Sequence, residues 1–552
     1  MEFLKYLRRE SEDFNANLIL VGVFAGVVNL ILIIVLTLAA SKAATTRPDG
    51  TSLALTALCI AAFWFSKKYL LTRATIIVEE IIGKVRRRIV SKIRETDLAS
   101  FENTGPEAFI NAVSIHANTL SQASIHVIHN SHAVVMVLLA FGFIYYLSQP
   151  GFWIVTSVLG VLVWAFFRNR TPLNKALRKI AHTENEFMRG FADLTDGFKE
   201  LKMDTKRDRE FIEDFLHGLI ERCMDLKKRT SHMINHNLLI AHSALFFLLS
   251  AVVFILPSFG EQEAASVVPV AAVVIFIFAP VSDLVGAIPF LAHAGASVEE
   301  LERIENVLNA IRKEDASVMN GNDGLVEEEF SKLEMKQIKF HYQDKSTDET
   351  FTLGPVDFEL NKGELVFMIG GNGSGKSTFL KLLTGLYQPD SGVIEVNGRR
   401  LGNKQIRGYR NLMSPIFSDF HLFNQLFGIN PVESEKAERY IEWLELTGKT
   451  KIKNKSIANL SLSAGQRKRV ALLVSLFEDK PILVFDEWAA EQDPEFRKKF
   501  YLEIIPEFRR AGKTIFAITH DEHFFHTADR IVKMDYGQIS EISSGKAKRP
   551  MG

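Results

Sequence analysis

Cysteine is almost absent from this chain of 552 residues, which contains Cys59 and Cys223 alone. Two cysteines form neither a disulfide framework nor a cysteine metal cluster, and we expect neither thiol to take part in chemistry. A low-complexity tract is also missing, and the formal net charge at pH 7 is zero because 65 basic residues balance 65 acidic ones. The residues that are present are distributed very unevenly along the chain.

The first half of the chain contains six apolar runs, at residues 18–40, 53–71, 127–147, 152–167, 238–256 and 267–285. A helix needs about 20 such residues to cross the hydrocarbon of a bilayer. The fourth run is the shortest, but residues 148–151 alone separate it from the third, which predicts a hairpin of two membrane helices. The pattern predicts an all-α membrane domain of six spans. A signal peptide is the alternative for the first run, but that run is long and lacks a small-residue cleavage site.

Basic residues are concentrated on one side of these runs. The connection after the second run carries nine of them: Lys67, Lys68, Arg73, Lys84, Arg86, Arg87, Arg88, Lys92 and Arg94. The loop after the third run has no charge, and the loop after the fifth has Glu261 and Glu263. The positive-inside rule therefore places both termini in the cytoplasm. Because the basic residues lie beside membrane spans, we interpret them as helix surface facing solvent or lipid headgroups and predict no nucleic-acid site.

The two long cytoplasmic connections, residues 72–126 and 168–237, have apolar residues at helical spacing. We expect the spans to continue there as out-and-back helix pairs, which at 1.5 Å per residue reach on the order of 40 Å beyond the bilayer. Turn-forming residues at 103–106 and 204–208 mark the two tips. Such tips can dock on a cytoplasmic domain and carry its motion to the spans.

A polar stretch at residues 312–323 ends in turn formers and separates this region from the rest of the chain. We therefore predict a membrane domain at 1–311, a linker at 312–332 and an α/β domain at 333–552.

Residues 370–378 fit the phosphate-loop pattern GxxxxGKS and follow the apolar run 365–369. The residues are Gly370, Gly371, Asn372, Gly373, Ser374, Gly375, Lys376, Ser377 and Thr378. In such a loop the glycines let successive N–H groups converge on a phosphate, the lysine reaches the β and γ oxygens, and the serine hydroxyl holds Mg²⁺. The sequence thus predicts nucleotide binding by a P-loop domain; a simple glycine turn before a helix is the alternative.

Two acids, Asp486 and Glu487, follow the apolar run 482–485. The carboxyl edge of an α/β sheet is where ligands bind. We expect Asp486 to hold Mg²⁺ through water and Glu487 to polarise the water that attacks the γ-phosphate. Ordinary surface charge is the alternative interpretation of this pair.

The segment Leu462-Ser463-Ala464-Gly465-Gln466 matches LSxGQ and precedes a basic and apolar helical stretch. A helix N-terminus with free N–H groups attracts phosphate. With this segment the chain resembles the ATP-binding cassette family, and six spans followed by one cassette resemble an exporter half-transporter. The resemblance implies that Ser463, Ala464, Gly465 and Gln466 bind ATP held by a second copy in a homodimer.

Three further residues match the family pattern. Tyr342 resembles the aromatic residue that stacks on adenine, with an ordinary strand aromatic as the alternative. Asp493 matches the acidic residue that communicates across the cassette dimer. His520 follows the apolar run 514–518 and resembles the switch histidine that contacts the γ-phosphate and positions Glu487.

Two departures from the family pattern stand out. Ser418 occupies the position at which the family has a glutamine that contacts Mg²⁺ and couples to the membrane domain, and a serine cannot reach as far. Residues 488–493 read Trp-Ala-Ala-Glu-Gln-Asp where the family commonly has Pro-Thr-Ser-Ala-Leu-Asp. The intact Glu487 still predicts an active ATPase.

The variant segments 485–497 and 417–423 resemble those of bacterial cyclic-peptide exporters, which move lipopeptides, siderophore precursors or a lasso microcin. The resemblance implies ATP-driven peptide export across the inner membrane into the periplasm. The first span is preceded by no cysteine-protease domain, so another protein would remove any leader. A lipid flippase or multidrug exporter is the alternative, and an ATP-gated or regulatory membrane protein is the alternative of another class.

Six histidines lie near the inner membrane face at the start of the third and fifth spans: His126, His129, His132, His232, His236 and His242. Ionisable residues at membrane depth tend to face water or a partner, so these side chains are candidate contacts for an anionic or metal-chelating peptide. The alternative is that neighbouring helices satisfy them.

Overall fold

The computed structural model describes residues 2–10, 17–43, 50–310, 329–343, 350–402 and 405–544, apart from some side chains within the first-half helices. The chain forms two compact units. One comprises Met1–Lys92 and Glu107–Leu308, and the other comprises Ile93–Pro106 and Asn309–Gly552. Most of the predicted linker, 312–332, lies outside the described residues.

The first half of the chain is helical. In chain order the helices are α1 (Glu2–Glu10), α2 (Asn17–Ala43), α3 (Gly50–Arg94), α4 (Leu98–Thr104), α5 (Pro106–Asn111), α6 (Ala117–Leu147), α7 (Gln149–Asp196), α8 (Phe198–Met203), α9 (Thr205–Arg209), α10 (His217–Phe254), α11 (Glu261–Gly286) and α12 (Ile288–Ala310). Two π-helical segments, Ala112–His116 and Glu210–Leu216, and a 3₁₀ turn, Leu256–Phe259, connect some of them. The 45 residues of α3 correspond to about 68 Å of helix, which is more than twice the roughly 30 Å thickness of bilayer hydrocarbon.

Four stretches of helix in the described part are long and apolar enough to cross a membrane: Leu20–Thr37, Leu53–Arg94, Thr205–Phe259 and Glu261–Asn309. The apolar helix Ala133–Leu147 is shorter. The fourth predicted span lies in α7, where several side chains between 162 and 171 are outside the description. Helices α2, α6, α7, α10 and α11 share one apolar core, which includes Ile33, Ile144, Val155, Val252 and Val273.

The second unit is α/β. Its strands are β1 (Lys332–Gln343), β2 (Thr350–Asn361), β3 (Leu365–Ile369), β4 (Ser391–Val396), β5 (Arg399–Arg400), β6 (Met413–Ile416), β7 (Ile452–Lys453), β8 (Ser456–Ile457), β9 (Ile482–Asp486), β10 (Thr514–Ile518), β11 (Arg530–Asp535) and β12 (Gln538–Ser544). Its helices, besides α4, are α13 (Lys376–Leu383), α14 (Ile406–Arg410), α15 (Ser434–Trp443), α16 (Ala464–Glu478), α17 (Pro494–Lys499) and α18 (Ile505–Arg510). Short 3₁₀ segments, Trp488–Glu491 and Glu522–Thr527, and a π-helical segment, Phe500–Ile504, complete it.

The central sheet has the order β12-β11-β3-β10-β9-β6, and its strands are parallel except for β12. A smaller antiparallel sheet has the order β2-β1-β4-β5. Side chains alternate between two cores, so that Phe367 and Phe485 belong to one and Met368 and Val484 to the other. Because β3, β10 and β9 are adjacent and parallel, the residues that follow them meet at one edge of the sheet.

The tip of the first long connection, within Ile93–Pro106, belongs to this second unit. Its helix α4 starts at the N-cap Asp97, whose carboxylate accepts the Ser100 N–H at 2.9 Å, and ends at Gly105 with φ 81°. Glu102 accepts a bond from Lys381 Nζ at 2.8 Å and another from the Tyr387 hydroxyl. In the other unit, the tip of the second connection turns at Asp204, which caps α9, and Met203 beside it is 87% exposed.

Candidate functional site

The predicted phosphate loop connects β3 to α13. Gly370, Gly373 and Gly375 have φ values of 153°, 75° and 99°, a region that side-chain-bearing residues rarely adopt. A Cβ atom on Gly370 would lie 2.3 Å from the main-chain oxygen of Met534, so the loop also needs glycine there for close approach. The backbone itself therefore fixes the shape of this loop.

Lys376 begins α13 and is 7% exposed. Its Nζ donates to the main-chain oxygens of Gly370 and Gly371, both at 2.9 Å. The ammonium group thus lies over the loop, where phosphate oxygens can replace the carbonyl oxygens. The Ser374 hydroxyl is buried in the loop without a hydrogen-bond partner in the described part of the chain, and Ser377 is exposed.

Asp486, the last residue of β9, is 5% exposed, and burial raises the pKa of its carboxyl group. The Ser418 N–H donates to Asp486 Oδ2 at 3.4 Å, and this bond acts in the opposite direction on the pKa. Ser418, at the position where the family has glutamine, therefore lies directly beside the predicted Mg²⁺ ligand.

Glu487 has a left-handed backbone with φ 47°. Its N–H donates to the Ile518 oxygen at 3.1 Å, and its Oε1 lies 3.2 Å from Nε2 of His520. Residues that are 33 positions apart in the chain thus meet because β9 and β10 are neighbours. A backbone conformation of this kind persists where the surroundings hold it, and such residues cluster at functional sites.

The LSxGQ segment forms the N-terminus of α16. Ser463 is the N-cap, and its hydroxyl and the Gln466 side chain make the two reciprocal bonds of a capping box. A Cβ atom on Gly465 would lie 2.8 Å from the Glu491 oxygen, and the Gln492 Nε2 donates to the Gly465 oxygen at 3.1 Å. Residues 488–493 therefore pack tightly against this segment of the same chain.

Asp493 caps α17 by accepting the Phe496 N–H at 2.9 Å. This bond, together with the guanidinium of Arg469 at 2.5 Å, lowers the pKa of Asp493. Over half of its side chain, 54%, stays exposed and available to a partner. Tyr342, opposite Phe351 in the β1–β2 pair, is half-buried against the core.

Two of the described histidines contact separate aromatic rings. His126 stacks on Phe290 with ring centres 3.8 Å apart, and His242 lies 5.2 Å from Phe278. His232 lines an 870 Å³ groove that also contains residues of α7 and α10, and His236 is exposed. The side chains of His129 and His132 lie outside the described residues. Among the residues that are described, no set of three His, Cys, Asp or Glu side chains could hold a metal.

Sequence reasoning missed three residues near this site. Lys468 and Arg469 are buried on α16, where they contact the turn after β9, and Glu102 reaches α13 from the first tip. Three consecutive cations, Arg467, Lys468 and Arg469, ahead of the apolar stretch 470–474 are the one signal that could have found the first two.

Comparisons with known proteins agree with this geometry. The ABC transporter family profile matches residues 353–490. The chain is 32% identical over 472 residues to the ATP-binding protein SyrD of Pseudomonas syringae pv. syringae. This alignment covers 83% of the present chain and 82% of SyrD. It is 24% identical over 504 residues, 87% of this chain and 80% of the relative, to an ATP-dependent lipid A-core flippase of Paraburkholderia xenovorans (strain LB400). In fold it matches a bacterial Atm1-family ABC exporter solved with ATP bound, with a TM-score of 0.73 and 17% identity over 98% of this chain and 96% of that one.

Proposed function

Since the chain belongs to the ATP-binding cassette transporters, as a multi-pass membrane exporter whose α/β domain binds and hydrolyses ATP, we propose that its cargo is a cyclic or nonribosomal peptide. The observation that carries the proposal is the segment 485–497, which resembles that of cyclic-peptide exporters. Its Trp488, which departs from the common family pattern, is 1% exposed, so this side chain is part of the hydrophobic core. The greater identity to SyrD than to the flippases, 32% against 24%, supports a branch separate from the flippases.

In the proposed cycle, the backbone of residues 370–378 and the Lys376 ammonium bind the phosphates of ATP, and Tyr342 stacks on the adenine. Glu487 polarises the attacking water, and His520 orients the Glu487 carboxylate from 3.2 Å. Hydrolysis is an in-line displacement at the γ-phosphate, so positioning and charge supply most of the catalysis.

The residues at the sheet edge fit a magnesium ion. Asp486 is a buried carboxylate whose pKa burial raises, so a nearby cation would stabilise its ionised form. Ser377 offers a hydroxyl, and Mg²⁺ usually takes one or two protein oxygens together with phosphate oxygens and water. Asp486 and Ser377 would hold the ion, with Ser418 beside them, and the ion would neutralise charge on the phosphates.

The chain acts as a homodimer in this proposal. Ser463, Ala464, Gly465 and Gln466 close over the nucleotide of the second copy, and Asp493 faces the same boundary. Support comes from the exposure of Ser463 and Ala464 at the N-terminus of α16 and from the exposure of Asp493. The membrane is the bacterial inner membrane, with both termini and the ATP-binding domain in the cytoplasm and the domain boundary within residues 312–332.

The six histidines at the inner membrane face are the candidate peptide contacts. Of those described, His232, His236 and His242 are exposed, whereas His126 is half-buried and stacked on Phe290.

Cargo class is tested with the full chain in proteoliposomes. ATP hydrolysis is measured with purified cyclic lipopeptides, lasso peptides and siderophore precursors, with lipid A carrying its core sugars, and with a fluorescent cationic dye. We expect at least one peptide to stimulate hydrolysis and to accumulate in the lumen of inside-out vesicles, and Glu487→Gln to abolish both. Stimulation and movement of the lipid or the dye alone would overturn the peptide proposal.

A further inference from the structure

Two hydrogen bonds that run in opposite directions join the turn after β9 to the second turn of α16. The Lys468 ammonium donates to the main-chain oxygen of Glu487 at 3.0 Å. The indole Nε1–H of Trp488 donates in return to the main-chain oxygen of Lys468, also at 3.0 Å. Both side chains are almost fully buried, at 3% and 1% exposure.

These bonds hold a segment of the site whose backbone is left-handed at a residue that carries a side chain, Glu487. The left-handed Glu487, with φ 47°, donates its N–H to the Ile518 oxygen. Its carbonyl oxygen accepts from the Lys468 ammonium at 3.0 Å and, over a longer 3.3 Å, from the Ala490 N–H. With both ends of the residue held, its carboxylate is directed to His520. A strained residue stays in place where its surroundings determine its position.

The Trp488 ring is itself immobilised by aromatic neighbours. It stacks on Phe500 with ring centres 4.2 Å apart and lies 6.2 Å from Phe496. Lys468 is a buried cation, and such a charge requires polar partners. Its second partner is the carboxylate of Glu491, 3.6 Å away and half exposed. The short, direct bond of this buried ammonium is therefore the one to the Glu487 backbone.

We propose that Lys468 and Trp488 are positioning residues for ATP hydrolysis: together they fix the Glu487 turn to α16, so that the carboxylate of Glu487 meets the attacking water. Neither side chain touches ATP or the water. The inference rests on the proposed role of Glu487 as the base.

The two bonds can be removed separately with little change of shape. Lys468→Met keeps the aliphatic stem and loses the donor, and Trp488→Phe keeps an aromatic ring on Phe500 and loses the indole N–H. The matched control is Glu491→Gln, which weakens the other ion pair of Lys468 and leaves its bond to Glu487. Lys468→Arg restores a cationic donor at the same position.

The test is steady-state hydrolysis of Mg-ATP by the full chain in lipid nanodiscs, together with equilibrium binding of a fluorescent ATP analogue. We expect Lys468→Met to lower kcat about tenfold, the loss of one hydrogen bond from a charged group, with KM and analogue binding unchanged. Trp488→Phe should lower kcat less, and the double variant should lose less than the product of the single losses because both bonds hold one turn. Lys468→Arg should recover most of kcat, and Glu491→Gln should match the wild type.

A wild-type kcat in both Lys468→Met and Trp488→Phe would overturn the proposal. So would equal losses in Glu491→Gln and Lys468→Met, or weakened analogue binding in place of a lower kcat. If Lys468→Met does not fold, Trp488→Phe decides alone by the same measurements. Turnover that survives in Glu487→Gln would instead refute the assignment of the base, which separates that failure from a failure of the positioning proposal.

Discussion

The phosphate loop and the Glu487 turn lie at the same edge of one sheet, yet they are held in different ways. The loop after β3 is shaped by its own glycines, and Lys376 bonds to carbonyl oxygens within it. The turn after β9 is held by side chains from elsewhere, by Lys468 on α16 and by His520 after β10. The phosphate-binding half of the site, the loop 370–378, is thus encoded in nine consecutive residues. The other half, the Glu487 turn that is proposed to carry the base, depends on the tertiary structure.

The largest effect should come from removing the positive charge in the phosphate loop. We expect Lys376→Ala to lower ATP hydrolysis at least about 100-fold, as for loss of a donor to developing charge, because the ammonium is proposed to contact the β and γ oxygens. The measurement is ATPase activity with ATP-analogue binding. Lys362→Ala, which removes an exposed lysine paired with Glu329 just before β3, is the control and should be unaffected. An unchanged rate in Lys376→Ala would contradict the phosphate-loop interpretation.

A smaller effect, on the free energy of unfolding, should come from removing a side chain that holds the residues after the Glu487 turn. Arg469 is 8% exposed and bonds to Gln492 at 2.9 Å and to Asp493 at 2.5 Å, with Phe496 beneath its guanidinium at 3.5 Å. Arg469→Met should lower the free energy of unfolding by about 1–3 kcal/mol because it leaves these partners unsatisfied. Both carboxylates that it pairs with, Glu445 and Asp493, are about half exposed, so water will compensate in part.

Thermal or denaturant unfolding of the full chain, followed by a probe in the α/β unit, measures this loss. The control is Arg467→Met on the same helix, whose side chain is exposed. Equal stability of Arg469→Met and the wild type would show that side chains do not hold the residues after the Glu487 turn.

The smallest effect should come from Ser418, whose backbone N–H and side chain both hydrogen-bond to Asp486. Its N–H bonds to Asp486, and that bond survives in Ser418→Ala. We expect a loss of cargo-stimulated ATPase activity far smaller than in Glu487→Gln, measured in proteoliposomes. An equally severe loss would mean that the hydroxyl performs the task of the family glutamine.

Most of the fold could be predicted from the sequence because its signals are local. Apolar runs predicted the helices of the first half, and the motifs at 370–378, 462–466 and 486–487 each lie on consecutive residues next to the expected strand or helix. His520 was placed beside Glu487 by family resemblance, and the β10–β9 pairing gives the physical reason for their contact.

The contacts that the sequence did not reveal are long-range. Glu102 and Lys381 are 279 positions apart, and nothing in either segment marks the pair. In the sequence alone, Lys468 has the pattern of an exposed cation on a helix. In the structure, the turn after β9 covers it. The histidine spacing likewise indicated two groups near the membrane face, and it did not reveal that His126 and His242 pack against different aromatic rings.

The most direct measurement of the central claim is ATP turnover by the Glu487→Gln chain. This change removes the carboxylate that is proposed to polarise water and leaves the phosphate loop intact. We predict turnover at least about 100-fold below the wild type, the usual contribution of a general base, with ATP still bound and an ATP-bound dimer accumulating. Turnover close to that of the wild type, with ATP bound equally well, would contradict the account.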